Sequence, residues 1–338
     1  MNLIKVDEAL YTELLQKFLQ DQNQRESYLE KAKRMSISFA NRNIFPEEIV
    51  RIHMNAIDQL CKDQQSEYKL SLQLLLETLI AYREEHETLH KVKEESQELK
   101  AEMEVAANMQ KTLLKTEVPK VPGLDIGAIT VPFKQLNGDY YHFVKGEDGT
   151  LGVTIADVIG NGVPAALSMS MVKYALESFY DEMMRPSTIL RYLNRVVERN
   201  VASNMFITMF YGQYSPNTNK FRYSSAGHEP GFHYQAKKGT FSEINARGLV
   251  LGVLKHSYYT QYELEMETGD YIVLLTDGVT ECLRSGRFIE REEVLEVIET
   301  YAHLPAQEQV HKVYLHFNQL DDFELKDDFT LIIIKKDV

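Results

Sequence analysis

Only two cysteines, Cys61 and Cys282, occur in 338 residues, and they form no Cys-x-x-Cys pair. That leaves neither a disulfide framework nor a thiolate zinc site, and it suits a reducing compartment such as the cytosol. Long apolar runs are also missing. The densest, Leu331-Ile332-Ile333-Ile334, is the size of a strand, far short of the roughly 20 residues that span a bilayer. The opening Met-Asn-Leu-Ile-Lys-Val-Asp-Glu has no basic segment leading into an apolar one, so no signal peptide is expected. Positive charge is scarce: 37 Lys and Arg stand against 50 Asp and Glu, a net charge of −13. Nucleic-acid binding rests on clustered cations that neutralise phosphates, so a general role of that kind is excluded. An acidic chain can still dock a basic partner. There is no Gly-x-Ser-x-Gly elbow and no Gly-rich loop ending in Gly-Lys-Ser/Thr.

What is present is a hydrophobic fraction of 44%, enough for packed cores, in a chain long enough for two or three domains. Residues 1–84 contain no glycine, which favours helices over hairpins. Leu3, Val6, Leu10, Leu14 and Phe18 recur at three- and four-residue spacing and predict one helical face. A second apolar pattern runs from Tyr28 to Phe39. After Asn43, Pro46 opens a third helix carrying Ile49, Ile52 and Ile57, with Glu47 and Glu48 suited to its first turn. Leu70–Ile80 forms a fourth, unusually apolar segment. These predict an all-α helical bundle without chemistry of its own, and lone His53 is expected on its surface or in its core rather than as a ligand.

Residues 85–118 read as a helical linker rich in Glu and Lys. Leu89, Ser96, Met103 and Gln110 fall at heptad position a, and Val92, Leu99, Ala106 and Leu113 at d. Glu95 at g and Lys100 at the next e position would attract across a parallel homodimer. Ser96, Ala106 and Gln110 bury little apolar area, so the expected coiled coil is marginal and able to form or melt as a switch.

Past Val118-Pro119-Lys120-Val121-Pro122-Gly123 the pattern becomes one of strands: 124–131, 140–144, 151–155, 205–214, 220–225, 261–266, 271–275 and 329–334. Helices are expected at about 163–182, 187–200, 290–302 and 306–320. Grouped strands and grouped helices predict an α+β layered domain over 119–338.

Four aspartate motifs fall at the ends of these strands: Asn137-Gly138-Asp139-Tyr140-Tyr141, Ala156-Asp157-Val158-Ile159-Gly160-Asn161-Gly162, Thr276-Asp277-Gly278-Val279-Thr280-Glu281 and Asp327-Asp328-Phe329-Thr330. Carboxylates beside apolar strand cores are costly unless neutralised, and converging ones raise each other's pKa. Divalent cations resolve both costs, and an oxygen-only donor set suits Mg²⁺ or Mn²⁺ rather than zinc. Two such ions roughly 3.5–4 Å apart activate a water and stabilise the oxygens of an in-line displacement at phosphorus, so no Ser or Cys nucleophile is required. Each motif alone is weak, since Asp277-Gly278 is an ordinary turn pair and Gly160 and Gly162 could simply lead into a helix. Their order and strand context are the specific signal.

This order of motifs, with Ser225-Ala226-Gly227-His228-Glu229-Pro230 and Gly248-Leu249-Val250-Leu251-Gly252, resembles the bacterial SpoIIE-like branch of the metal-dependent (PPM-type) protein serine/threonine phosphatases. The resemblance covers 119–338 and continues through Glu104-Val105-Ala106-Ala107-Asn108-Met109-Gln110 into the helical third. It implies an α-β-β-α sandwich with a binuclear Mn²⁺/Mg²⁺ centre. By motif, Asp139 and Asp157 would be metal ligands, Asp157 bridging, with the Val158 carbonyl. Asp277 and Asp327 would complete the set, with Asp328 as the alternative to Asp327. It also implies a phosphorylated anti-anti-sigma protein (RsbV-like) as substrate, release of a general-stress sigma factor, and an RsbT-like activator at residues 1–84 and the linker. Two departures stand out. Eukaryotic relatives carry an acidic residue where this chain has Gly138, and many relatives carry aspartate near His142. His228 is expected to be structural rather than a ligand. Two other readings remain at this stage: a metal-free phosphatase-like scaffold, which retention of all four motifs opposes, and a nucleotidyl cyclase, which would need cations for a triphosphate that the strand motifs do not offer.

Overall fold

The computed structural model describes residues 3–42, 44–60, 65–160, 162–178, 185–201, 204–284, 286–320 and 323–337. They fall into two compact units, Met1–Ala101 and Glu102–Val338. Cys61, Asn43 and Asn161 lie outside the described residues.

The first unit is all helical: α1 (Leu3–Gln20), a 3-10 turn (Gln22–Gln24), α2 (Arg25–Asn41), α3 (Pro46–Leu60) and the start of α4 (Gln65–Leu113). In α1 the buried positions are Tyr11, Leu14, Leu15 and Phe18, whereas Leu10 is 54% exposed. Leu14 and Phe18 of the expected face are thus in the core, while Tyr11 takes the place expected for Leu10, because it carries more apolar area and can satisfy its hydroxyl inside. That hydroxyl lies 2.9 Å from Nδ1 of His53, which is buried. Tyr28, Ala32, Ile52, Ala56 and Leu74 close the same core. Burying each large side chain contributes about 1.5–3 kcal/mol. Pro46 heads α3, with Glu47 and Glu48 in its first turn. Helix α4 continues without interruption past residue 84, because no Gly or Pro breaks it. Along it Leu89, Val92 and Leu99 are exposed, Met103 and Ala106 are partly covered, and Gln110 is buried.

The second unit holds two five-stranded antiparallel sheets. Its strands are β1 (Leu124–Val131), β2 (Asp139–Lys145), β3 (Leu151–Ile159), β4 (Phe206–Ser215), β5 (Lys220–Ala226), β6 (Gly231–Gln235), β7 (Thr240–Ile244), β8 (Tyr262–Glu265), β9 (Tyr271–Leu275), β10 (Leu283–Arg284), β11 (Arg287–Phe288), β12 (Phe323–Glu324) and β13 (Phe329–Lys336). One sheet runs β1-β13-β9-β6-β7, the other β2-β3-β4-β5-β8, and β11-β10-β12 form a small third sheet. Helices α5 (Val163–Glu177) and α6 (Pro186–Asn200) cover the β3 sheet. Past the one-turn α7 (Asp277–Thr280), α8 (Arg291–Thr300) and α9 (Ala306–Asn318) cover the β13 sheet.

Alternation along each strand builds this sandwich. In β13, Ile332 and Ile334 enter the core between the sheets with Val153, Ile155, Phe210 and Phe221. Leu331 and Ile333 face the other way, against Val310, Val313 and Phe317 of α9. Both faces of β13 are thus covered, which accounts for its continuous apolar run. The result is an α-β-β-α sandwich. Five strands lie where none was expected, β6, β7 and the two-residue β10, β11 and β12, and β3 extends to Ile159, so Asp157 sits inside a strand rather than beyond its end.

Candidate metal centre

The two sheets bring the aspartate motifs to one edge of the sandwich. On one sheet Asp139 opens β2 directly opposite Asp157 of β3. On the other, β9 leads through Thr276 into Asp277 at the head of α7, and the neighbouring β13 is entered through Asp327 and Asp328. Asp157, Asp277, Asp327, Asp328, Gly138, Val158, Gly160 and Gly162 line a cavity of about 320 Å³. Asp139, 3% exposed, does not line this cavity; it borders a second one shared with the end of α4.

Three acceptors converge beside Gly138. A Cβ on it would lie 3.3 Å from Asp328 Oδ2, 3.6 Å from Asp157 Oδ1 and 3.7 Å from the Val158 carbonyl oxygen. An acidic side chain here, as in eukaryotic relatives, would enter an already negative cradle. The electrostatics agree. Burial, then the charges of Asp277, Asp327, Asp328 and Glu281, pushes the Asp157 carboxyl up to about 7. Burial, then Glu281 and Asp327, pushes Asp277 up to about 6. Asp139 is raised well above the usual carboxylate range by burial and by Asp157. Cations held among these groups would reverse the strain.

Local hydrogen bonds set each group. Thr276 Oγ1 donates to Asp139 Oδ2 at 2.7 Å, and accepts from the Thr330 amide at 3.2 Å. Asp328 accepts from the amides of Phe133, at 2.7 Å, and Gly138. Its carboxylate therefore ties the β1–β2 loop to the entrance of β13. Asp327 is exposed and its Oδ1 accepts from the Asp328 amide at 2.8 Å. Gly278 is required by proximity: a Cβ there would lie 2.1 Å from the Asp328 carbonyl oxygen, so Asp277-Gly278 is more than a turn pair. Thr276, Asn137 and Gln110 are site residues that the sequence reading did not single out. Thr276 and its partner Thr330 stood inside quoted motifs, but their bond depends on β9–β13 pairing and that of Thr276 to Asp139 on the stacking of the two sheets.

The donor set is hard oxygen throughout, as Mn²⁺ and Mg²⁺ prefer. Among the described residues, however, no three His, Cys, Asp or Glu side chains are grouped closely enough to hold an ion as they stand. The carboxylates ring a cavity instead of closing on a point, so their chemistry fits the cations while their spacing is open. His142 lies away from them on the opposite face of β2, buried against Tyr140 with ring centroids 5.9 Å apart. His228 is buried against Thr208, the β4 partner of Asp157, and does not line the cavity.

Residues 147–337 match the family model described as Stage II sporulation protein E (SpoIIE). The chain belongs to the SpoIIE family. It is thereby a metal-dependent protein serine/threonine phosphatase, and its N-terminal residues 9–83 match the model for the N-terminal domain of phosphoserine phosphatase RsbU. This SpoIIE-family chain is 45% identical over 341 residues to phosphoserine phosphatase RsbU of Bacillus subtilis (strain 168), covering 100% of both chains. It is 26% identical over 226 residues to protein IcfG of Synechocystis, spanning 58% of this chain and 35% of that one. Among solved structures, the RsbU and RsbW domains of a Mycobacterium tuberculosis protein superpose with a TM-score of 0.57 at 25% identity, over 65% of this chain and 63% of that one. The SiaA-PP2C domain of Pseudomonas aeruginosa shares the fold, with a TM-score of 0.60 at 16% identity over 72% and 98%.

Proposed function

We propose that this phosphatase removes phosphate from a phosphoserine on an anti-anti-sigma protein of the RsbV type, in a cytoplasmic partner-switching pathway that frees a general-stress sigma factor. The observation that carries the chemistry is the convergence of Asp157, Asp277, Asp327 and Asp328 with the Val158 carbonyl on one cavity. Full-length similarity to a phosphoserine phosphatase supports the substrate class. Asp139, Asp157, the Val158 carbonyl, Asp277 and Asp327 are the groups that would hold two Mn²⁺ or Mg²⁺ ions. The spent carboxylate of Asp328, bound to two amides, favours Asp327 as the ligand and Asp328 as the holder of the loop. When bound, such ions neutralise the carboxylates and polarise the phosphoryl oxygens. Thr276 keeps one Asp139 oxygen oriented by its hydrogen bond. Lys134, the basic side chain among those lining the cavity, draws in the phosphate dianion. Exposed Phe133 and Ile159 on the same rim offer apolar surface to a protein substrate.

Regulation enters through the end of α4. Gln110 is bonded to Asn137, two residues before Asp139. Lys173 of α5, the helix that follows the Asp157 motif, donates from Nζ to the carbonyls of Leu113 at 2.5 Å and Lys115 at 3.2 Å. Its charge suits the negative end of α4. The last turn of α4 is thus fastened beside both Asp139 and the Asp157 segment. An RsbT-like partner on residues 1–84 that favours a coiled-coil pairing of α4 in a homodimer would act on the centre through these two attachments, to the extent of its differential affinity. The test is phosphate release from a phosphoserine RsbV-type protein with and without an RsbT-type partner. Stimulation that is absent when residues 1–84 are deleted supports the scheme, and partner-independent release at full rate opposes it.

A further inference from the structure

The Ser225–Pro230 motif supplies none of the residues lining the metal cavity, yet its histidine is placed between the two sheets. The backbone turns at Gly227, φ +70°, where a Cβ would lie 2.5 Å from Val250 Cγ1, so a side chain there is excluded twice over. That turn directs His228 inward, 8% exposed. Its amide donates to Ser225 Oγ at 3.1 Å, which fixes the ring's origin.

On one side, His228 Nδ1 is 2.9 Å from Thr208 Oγ1. Thr208 sits on β4 directly opposite Asp157. On the other side the ring meets the backbone of Leu275, the last residue of β9 and two residues before Asp277. Burial lowers its pKa to about 4, so the ring is neutral and carries one donor and one acceptor. The Thr208 hydroxyl has a single proton. Its contact with the Asp157 carbonyl is 3.5 Å, at the limit for a hydrogen bond, while that with His228 is short. Given to Nδ1, that proton leaves the ring's own hydrogen on Nε2. Nε2 is buried with no partner in hydrogen-bond geometry. An unmade bond of this kind inside a protein calls for a partner, and the Leu275 carbonyl is the neighbour able to accept it.

We infer that His228 is a positioning residue that ties β4 beside Asp157 to the β9 end that carries Asp277, and so sets the spacing between the ligands supplied by the two sheets. The inference rests on the metal-centre reading above. Both attachments are needed: Thr208 fixes the ring to one sheet, and a bond from Nε2 to the Leu275 carbonyl would complete the link to the other.

The test is calorimetric titration of the whole chain with Mn²⁺, for the native protein, His228→Phe, Thr208→Val and the double variant. His228→Phe keeps the ring volume and removes both nitrogens. Each single variant is expected to bind Mn²⁺ about tenfold more weakly, with the double variant no weaker than His228→Phe alone. The metal-free midpoint of unfolding should stay within a few degrees of native. In the native chain, Mg²⁺ should shift the Nε2 resonance of one histidine, the signal lost in His228→Phe. Native-like Mn²⁺ affinity in His228→Phe overturns the inference. If that variant does not fold, native-like affinity in Thr208→Val does so. A native chain that binds no Mn²⁺ overturns the metal centre itself, and that outcome is distinct from the other two.

Discussion

Gln110 and Asn137 hold each other by two hydrogen bonds: Gln110 Nε2 donates to the Asn137 carbonyl at 2.6 Å, and the Asn137 amide donates to Gln110 Oε1 at 3.0 Å. The Asn137 side chain passes the constraint on, donating to Thr130 Oγ1 at 2.8 Å and accepting from the Asp139 amide at 2.9 Å. One helical residue thereby fixes the segment that delivers Asp139. Gln110→Ala removes both bonds, at about 1 kcal/mol each. It should weaken Mn²⁺ binding by roughly tenfold while leaving the fold intact. Calorimetry with a melting curve checks this. Unchanged metal affinity would mean the attachment is only structural.

The raised carboxyls predict an unusual pH dependence for the metal-free protein. Asp157 titrates near 7 and Asp277 near 6 when folded, against ordinary values in the unfolded chain. Between those values the folded state holds more protons than the unfolded one, so stability falls as pH rises from about 4 to 7. Mn²⁺ should reverse the loss above pH 6. By the same logic Asp157→Asn should stabilise the metal-free protein near neutral pH by about 2 kcal/mol, roughly 5 °C in melting temperature, while abolishing catalysis. Melting curves across pH 4–8, with and without Mn²⁺, decide it. A native metal-free protein whose stability rises with pH over this window would contradict the electrostatic account.

Lys134 lines the same cavity as the carboxylates and rests 5.5 Å from the Phe133 ring centroid. Lys134→Ala should raise KM for a phosphoprotein by about tenfold, with little change in metal affinity. Steady-state kinetics separate the two. A variant that loses kcat and metal binding together would place Lys134 in the support of the ligands rather than in phosphate capture.

Leu99 is 60% exposed at a d position of the heptad seam. A Leu99→Cys variant should give a disulfide-linked dimer under oxidising conditions, more readily with an RsbT-type partner present. Non-reducing electrophoresis reads it, and no cross-linked species in either state would count against a paired α4.

Much of this was legible in the residues. The run Leu331–Ile334 identified a strand, and the aspartate motifs identified the strand ends where the site lies. What the sequence concealed depended on contacts far apart in the chain. Gln110 reads as a poor seam residue because helical spacing cannot distinguish a face turned to a second copy from one docked on its own domain. Strand β7, Thr240–Ile244, is mostly exposed and gives no alternating signal. The bond from Thr276 to Asp139 spans 137 residues and exists only because the two sheets stack.

The central claim is that these carboxylates form a metal centre that hydrolyses a phosphoserine. The most direct measurement is Mn²⁺-dependent phosphate release from a phosphoserine-bearing RsbV-type protein by the native chain and by Asp157→Asn. The account predicts release that requires Mn²⁺ and vanishes in the variant. Release that persists in Asp157→Asn, or that proceeds equally after the metal is chelated, would contradict it.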